Sequence, residues 1–216
     1  DSKSVAASTR AGTKNIVITR DENGQMVEAV VDMGAPELDP VQVPIRAVAN
    51  AVADDDTPFV GELSVPSPWG DFSFTAVSMG NPHAVCFLDH IEAIDDALFA
   101  DPSNKTLDSL NLDLIGAFYE SNEIFPEKTN VEFAVVGDDS ISMRVYERGC
   151  GETLACGTGA CATGVAACLT KRAGRKNEII LKGGMLDIDW RDDGHVHMTG
   201  PAAHSFSGTI SLDDLA

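Results

Sequence analysis

From Ala160 to Leu169 the chain carries no charge, and Thr163 is its only polar residue. A helix with no polar face has to be buried, so the fold must surround this stretch. Its Ala, Gly, Cys and Val side chains are small, which lets neighbouring elements approach the backbone closely. Lys171 and Arg172 follow, with Gly174 just beyond, the kind of ending that a helix dipole favours. The approach is a glycine-punctuated loop, Arg148-Gly149-Cys150-Gly151-Glu152-Thr153-Leu154-Ala155-Cys156-Gly157-Thr158-Gly159. Cys156 therefore sits where the buried helix is expected to begin.

That position has chemical consequences. A helix N-terminus offers unpaired N–H groups and partial positive charge. It can hold a carboxylate, and it favours a thiolate, lowering a thiol pKa from about 8.5 toward roughly 3.5–7.5. A thiol beside an anion pocket can remove a proton from the carbon next to a carboxylate. The plainer reading is that Cys156 is a small buried hydrophobe. The flanking glycines weigh against it, because they leave room for a ligand to touch the backbone.

The 216 residues suffice for one large or two small domains. Fifteen basic residues against 34 acidic ones give a formal charge of −19, which argues against nucleic acid or an anionic membrane surface as a partner. No stretch has the apolar length of a membrane span and no signal peptide opens the chain. Five cysteines, an odd number, then read as reduced thiols of a cytoplasmic protein.

Strand-like alternation marks Asn15 to Thr19 and Gln25 to Met33, a hairpin around Asn23-Gly24. Further strands are expected at Val41 to Arg46, Pro58 to Val65, Phe72 to Val77, Ala84 to Leu88, Val131 to Val136 and Ser140 to Tyr146. After the buried helix, Glu178 to Leu181, Met185 to Trp190, His195 to Thr199 and Ser205 to Ile210 follow. Ile91 to Ala100 and Leu107 to Glu120 have helical spacing, and Pro36 to Pro40 reads as a linker. The pattern predicts an α+β fold, a mostly antiparallel sheet wrapped round one central apolar helix.

Four blocks carry a resemblance: Met79-Gly80-Asn81-Pro82-His83, Phe125-Pro126 leading to Thr129-Asn130-Val131-Glu132-Phe133, Val145-Tyr146-Glu147-Arg148-Gly149 through Cys161, and Thr199-Gly200-Pro201-Ala202. Together, in this order, they resemble diaminopimelate epimerase, with Cys156 in the second cysteine motif. The family's fold has two halves facing each other across a cleft, each with a cysteine at the start of its own central helix. The first half's Cys-Gly-Asn-Gly does not occur in this sequence. The resemblance thus implies a fragment or a late-starting variant. Residues 1–40 would be a remnant of the first half, 41–204 the second half, and 205–216 a strand returning to the first.

The resemblance further implies a cytoplasmic isomerase of lysine and cell-wall precursor synthesis. It interconverts LL- and meso-diaminopimelate with neither pyridoxal phosphate nor metal. One thiolate removes the α-proton and the other thiol returns one to the opposite face. Cys156 matches one of the pair, and the N–H groups of Gly157 and Thr158 match one anion-binding end. Arg148 matches the grip on the distal carboxylate, beside the amides of Asn81 and Asn130. Glu147 matches a residue that binds substrate through its backbone and places a carboxylate near the thiols. His83 matches one that adjusts the cysteine pKa values. Many members pair as dimers, so a homodimer is one assembly the resemblance allows.

Cys150 departs from the pattern, where a small apolar residue is usual. With one thiol in hand, an inert fragment or a non-catalytic binding module of the same fold stays open, as does a proline-racemase-like isomerase. Other motif readings fare worse. Gly157-Thr158-Gly159-Ala160-Cys161-Ala162 fits a dinucleotide fingerprint, but the strand before it is expected to end near Tyr146, too early for the tight strand-to-helix turn. No Lys follows the glycines as a phosphate loop requires, and no C-x-x-C pair supports zinc.

Overall fold

The computed structural model describes residues 2–9, 12–209 and 211. In chain order the strands begin with β1 (Ser2–Thr9), β2 (Gly12–Arg20), β3 (Met26–Gly34), β4 (Ala51–Val52) and β5 (Pro58–Phe59). There follow β6 (Leu63–Val65), β7 (Phe72–Ser78), β8 (Pro82–Phe87), helix α1 (Leu112–Glu120), β9 (Asn130–Val136), β10 (Ile141–Glu147) and β11 (Gly151–Thr153). Helix α2 (Gly157–Leu169), β12 (Lys176–Leu181), β13 (Gly184–Trp190) and β14 (Val196–Pro201) complete the set. Twelve strands form one sheet in the order β1-β2-β3-β14-β13-β12-β10-β9-β8-β7-β6, with β11 on β10. Its joins are antiparallel except β8 with β9 and β10 with β12.

The apolar stretch is helix α2, and it is buried from Gly159 through Ala167. It packs against β7, β8 and β9 on one part of the sheet and β12, β13 and β14 on another. Its small side chains are what permit this. A Cβ added at Gly164 would lie 3.0 Å from Cγ2 of Ile188 on β13, closer than ordinary packing allows. The helix does not end on Gly174. Lys171 takes the left-handed conformation at φ 60°, and the N–H groups of Lys171 and Arg172 bond the carbonyls of Cys168 and Ala167, the paired bonds of a Schellman ending.

Strands β7, β8 and β9 are covered on both faces, so their alternation divides residues between two cores rather than between core and water. Val77, Val85 and Ala134 join Met143, Val145, Val165, Ile179 and Ile188 around α2. Phe72, Phe74, Phe133 and Phe125 meet Tyr119 of α1 in an aromatic cluster on the other side. The Tyr119 hydroxyl donates to the Val65 carbonyl at 2.9 Å, which satisfies its one buried polar group.

Several sequence expectations change. Ser2–Thr9 forms β1, where no strand was expected; its side chains are nearly all exposed, so no alternation of burial marks it. Val41 to Arg46 is a run of turns, begun by Asp39 Oδ1 accepting from the Val41 N–H, although Val43 and Ile45 are buried. Pro58 to Val65 is split into β5 and β6 around Glu62, which has φ 47°. Ile91 to Ala100 holds two 3₁₀ turns, Ile91–Ala93 and Asp96–Leu98, separated by extended Ile94. The helix expected from Leu107 starts at Leu112, capped by Asn111 Oδ1 on the Leu114 N–H. The preceding carbonyls of Leu107, Asp108 and Leu110 are instead taken by Arg144. Pro36 to Pro40 is docked rather than loose: Glu37 pairs with Ser78 and Leu38 is buried. Ser205 to Thr209 is not a strand, and Ile210 and residues 212–216 lie outside the described residues.

Candidate active site

Cys156 is the N-cap of α2, extended at φ −136° and ψ 108°, and its own carbonyl takes the Ala160 N–H. The Cys156 side chain makes no capping bond, so the first N–H groups of the helix are left for another partner. Its sulfur lies 3.5 Å from the Thr158 hydroxyl. The expected lowering of the thiol pKa is not what this environment produces. Burial pushes Cys156 up to about 11; the Thr158 hydroxyl and Gly159 N–H oppose this, while the carboxylates of Glu132 and Glu147 add to it. Cys156 is only 7% exposed, and the desolvation of a thiolate outweighs the hydroxyl and amide that oppose it.

Around this helix start, β8, β9 and β10 deliver the other side chains. His83 on β8 pairs in parallel register with Asn130 on β9. The His83 ring is buried, with Nδ1 2.6 Å from Glu132 Oε1 and Nε2 3.2 Å from Asn81 Oδ1. Asn130 is also buried, and its amide is spent on backbone: Nδ2 donates to the Pro82 carbonyl at 2.8 Å, and Oδ1 accepts from the Arg148 N–H at 2.9 Å. Arg148 therefore has its main chain clamped while its exposed guanidinium reaches only the Glu127 carbonyl, at 3.2 Å. The next amide, Gly149 N–H, is held by Glu120 Oε1 at 2.9 Å. Glu147 Oε1 accepts from the Thr153 hydroxyl at 2.5 Å, tying β10 to β11.

Glu132 and Glu147 thus face Cys156 at the start of α2, Asn81 and His83 are linked to it through Glu132, and Asn130 holds the main chain of Arg148. Glu132 and Glu120 belong to the same constellation and were not singled out by sequence reasoning. The available signal for Glu132 was an acid within the apolar strand Val131 to Val136. Cys150 lies exposed in the turn between β10 and β11, Cys161 is packed inside α2, and Cys86 is buried on β8. Among the described residues no group of His, Cys, Asp and Glu is arranged to hold a metal, and no helix is long and apolar enough to cross a membrane. A cleft of about 460 Å³ involving Trp69, Phe87 and Arg172 contains none of the site residues.

The family described as Diaminopimelate epimerase matches residues 75–205 in sequence. The chain is 40% identical over 214 residues to the diaminopimelate epimerase of Methanococcus maripaludis, covering 98% of this chain and 68% of that protein. The chain belongs to the diaminopimelate epimerase family. It is also 43% identical to the epimerase of Desulfovibrio desulfuricans, over 94% of this chain and 65% of that one. The chain spans about two thirds of the length of the curated relatives it matches. Its fold is shared with a hydroxyproline epimerase from Agrobacterium vitis, at a TM-score of 0.59 and 14% identity over 94% of this chain and 58% of that one. A probable proline racemase from Agrobacterium radiobacter gives 0.57 and 15%, over 98% and 61%.

Proposed function

We propose that this chain provides one thiol and one anion-binding helix end of a diaminopimelate epimerase. Cys156 exchanges a proton with the α-carbon on one face of the substrate. The α-carboxylate lies at the start of α2, where the Gly157 and Thr158 N–H groups stabilise the charge that grows on it as the proton leaves. Arg148 holds the distal carboxylate through its guanidinium fork. Asn130 and Glu120 aim that loop, and Asn81 supports His83. The observation that carries this reading is the placement of a buried thiol at the open N-terminus of a buried helix, in a chain of this family.

The second thiol acts from the opposite face and belongs to the family's first half. In this reading β1 to β3 lie toward that half, while Glu37 and Leu38 dock on the half described above, whose sheet is wrapped round α2. The enzyme works in the cytoplasm on a small amino acid with two carboxylates, without nucleic acid or membrane, and a homodimer is consistent with this role.

The test is deuterium wash-in at the α-carbon of LL-diaminopimelate in D2O, with this chain, with Cys156→Ser, and with a separately made first half added. Exchange and inversion in the mixture, lost in Cys156→Ser, is the expected result. Inversion by this chain alone would require a second acid, with Cys150 the exposed thiol near Cys156 in sequence. Silence of the complete mixture would refute the substrate assignment.

A further inference from the structure

Glu132 is fully buried, and only one of its two carboxylate oxygens has a partner. Strand alternation turns Val131 and Phe133 into the aromatic core and Glu132 toward α2. One oxygen, Oε1, meets His83 Nδ1 at 2.6 Å; the other, Oε2, is buried with no hydrogen-bond partner. Burying a carboxylate half-satisfied is unfavourable, so simple packing would select an apolar residue here. Where a Cβ would stand on Gly159, Glu132 Oε1 is 2.8 Å away and Cys156 Sγ 3.3 Å away. Carboxylate and thiol are thus neighbours across a glycine that leaves them room.

We propose that Glu132 is a positioning residue of the thiol site, fixing His83 through Nδ1 and setting its carboxylate beside Cys156 across Gly159, where it repels a thiolate. The inference rests on the reading of Cys156 as the reacting thiol. The thiolate and Glu132 compete for the same positive helix end. A substrate whose carboxylate and ammonium enter the site changes that balance only when the proton transfer is due, which protects a buried thiol from idle chemistry. The groups acting on Cys156 are few. Glu132 faces it from β9 and Glu147 from β10; Cys161 lies along α2, with Lys14 of β2 acting on Cys161; His83 on β8 reaches it through Glu132.

The test is the pH profile of iodoacetamide alkylation at Cys156, read by peptide mass spectrometry so that Cys150 and Cys168 are counted separately. In Glu132→Gln, which keeps shape and removes charge, the midpoint moves to lower pH and the rate at pH 8 rises roughly threefold or more, with the high-pH plateau unchanged. Glu132→Asp retains a profile close to the unsubstituted protein. An unmoved or raised midpoint in Glu132→Gln overturns the proposal. So does a raised plateau shared by both variants, which would mean loosened packing alone. In the unsubstituted protein the short contact predicts a far-downfield Nδ1 proton resonance for His83, absent in His83→Asn. Its absence from the unsubstituted protein overturns the pairing even where Glu132→Gln does not fold. Neither readout uses substrate, so a failed deuterium exchange leaves this inference standing, and an unshifted profile leaves the epimerase reading standing.

Discussion

Gly159→Ala tests how tightly the start of α2 is built. In an open helix, replacing Gly by Ala stabilises by about 0.5–1 kcal/mol, because the unfolded chain loses freedom. Here the added methyl would stand 2.8 Å from Glu132 Oε1 and 3.3 Å from both Cβ and Sγ of Cys156. Neither neighbour can yield easily. Glu132 is pinned to His83 at 2.6 Å with both side chains fully buried, and Cys156 is the residue that begins the helix. Overpacking of this kind costs about 1–3 kcal/mol, so the clash wins and the net loss is roughly 1–2 kcal/mol. Urea denaturation followed by circular dichroism would read this as a lower midpoint, and a thermal scan as a fall of about 2–4 °C per kcal/mol. Gly174→Ala is the control, since a Cβ there meets nothing within 4 Å; it should be neutral or slightly stabilising. If Gly159→Ala matched or exceeded the parent in stability, the close approach of carboxylate, thiol and helix would be wrong.

Two further perturbations follow from the same geometry. Thr158→Val removes the hydroxyl that helps hold the Cys156 pKa down to about 11, so alkylation of Cys156 at pH 8 should slow; a faster reaction would contradict the contact. Arg144→Met removes two hydrogen bonds to Glu152, of 2.7 and 2.9 Å, and those to three carbonyls before α1, at a loss of about 3 kcal/mol in chemical denaturation. Arg144 holds the Glu152 pKa below its ordinary 4.5, with burial opposing and Lys182 assisting. That contribution is full above the unfolded pKa and is lost as pH falls through the folded one. The parent should therefore lose stability more steeply than Arg144→Met below about pH 4.5; parallel curves would show that the pair adds no charge-dependent stability.

The sequence by itself determined what local chemistry can dictate. A charge-free run of small residues from Ala160 to Leu169 reads as a buried helix, and Cys156 before Gly157-Thr158-Gly159 falls at its start. Alternation located β7 to β10 and β12 to β14 to within a few residues, since each buries at least one face. The motif blocks contain His83, Glu132, Asn130 and Arg148, which hydrogen bonds join in two pairs. Elements lacking such a pattern were not legible: β1 buries almost nothing, and Val41 to Arg46 buries apolar residues from turns, which imitate a strand. Tertiary structure alone decided the rest. Lys171, not Gly174, became the left-handed residue, and there Lys171 and Arg172 pair with the carboxylates of Asp54, Glu62 and Asp89. The parallel join of β8 and β9 brought Glu132 to His83 across 49 residues of sequence. Burial then reversed the expected direction of the Cys156 pKa. Desolvation depends on everything that surrounds a group in space, and no local window of sequence contains that information.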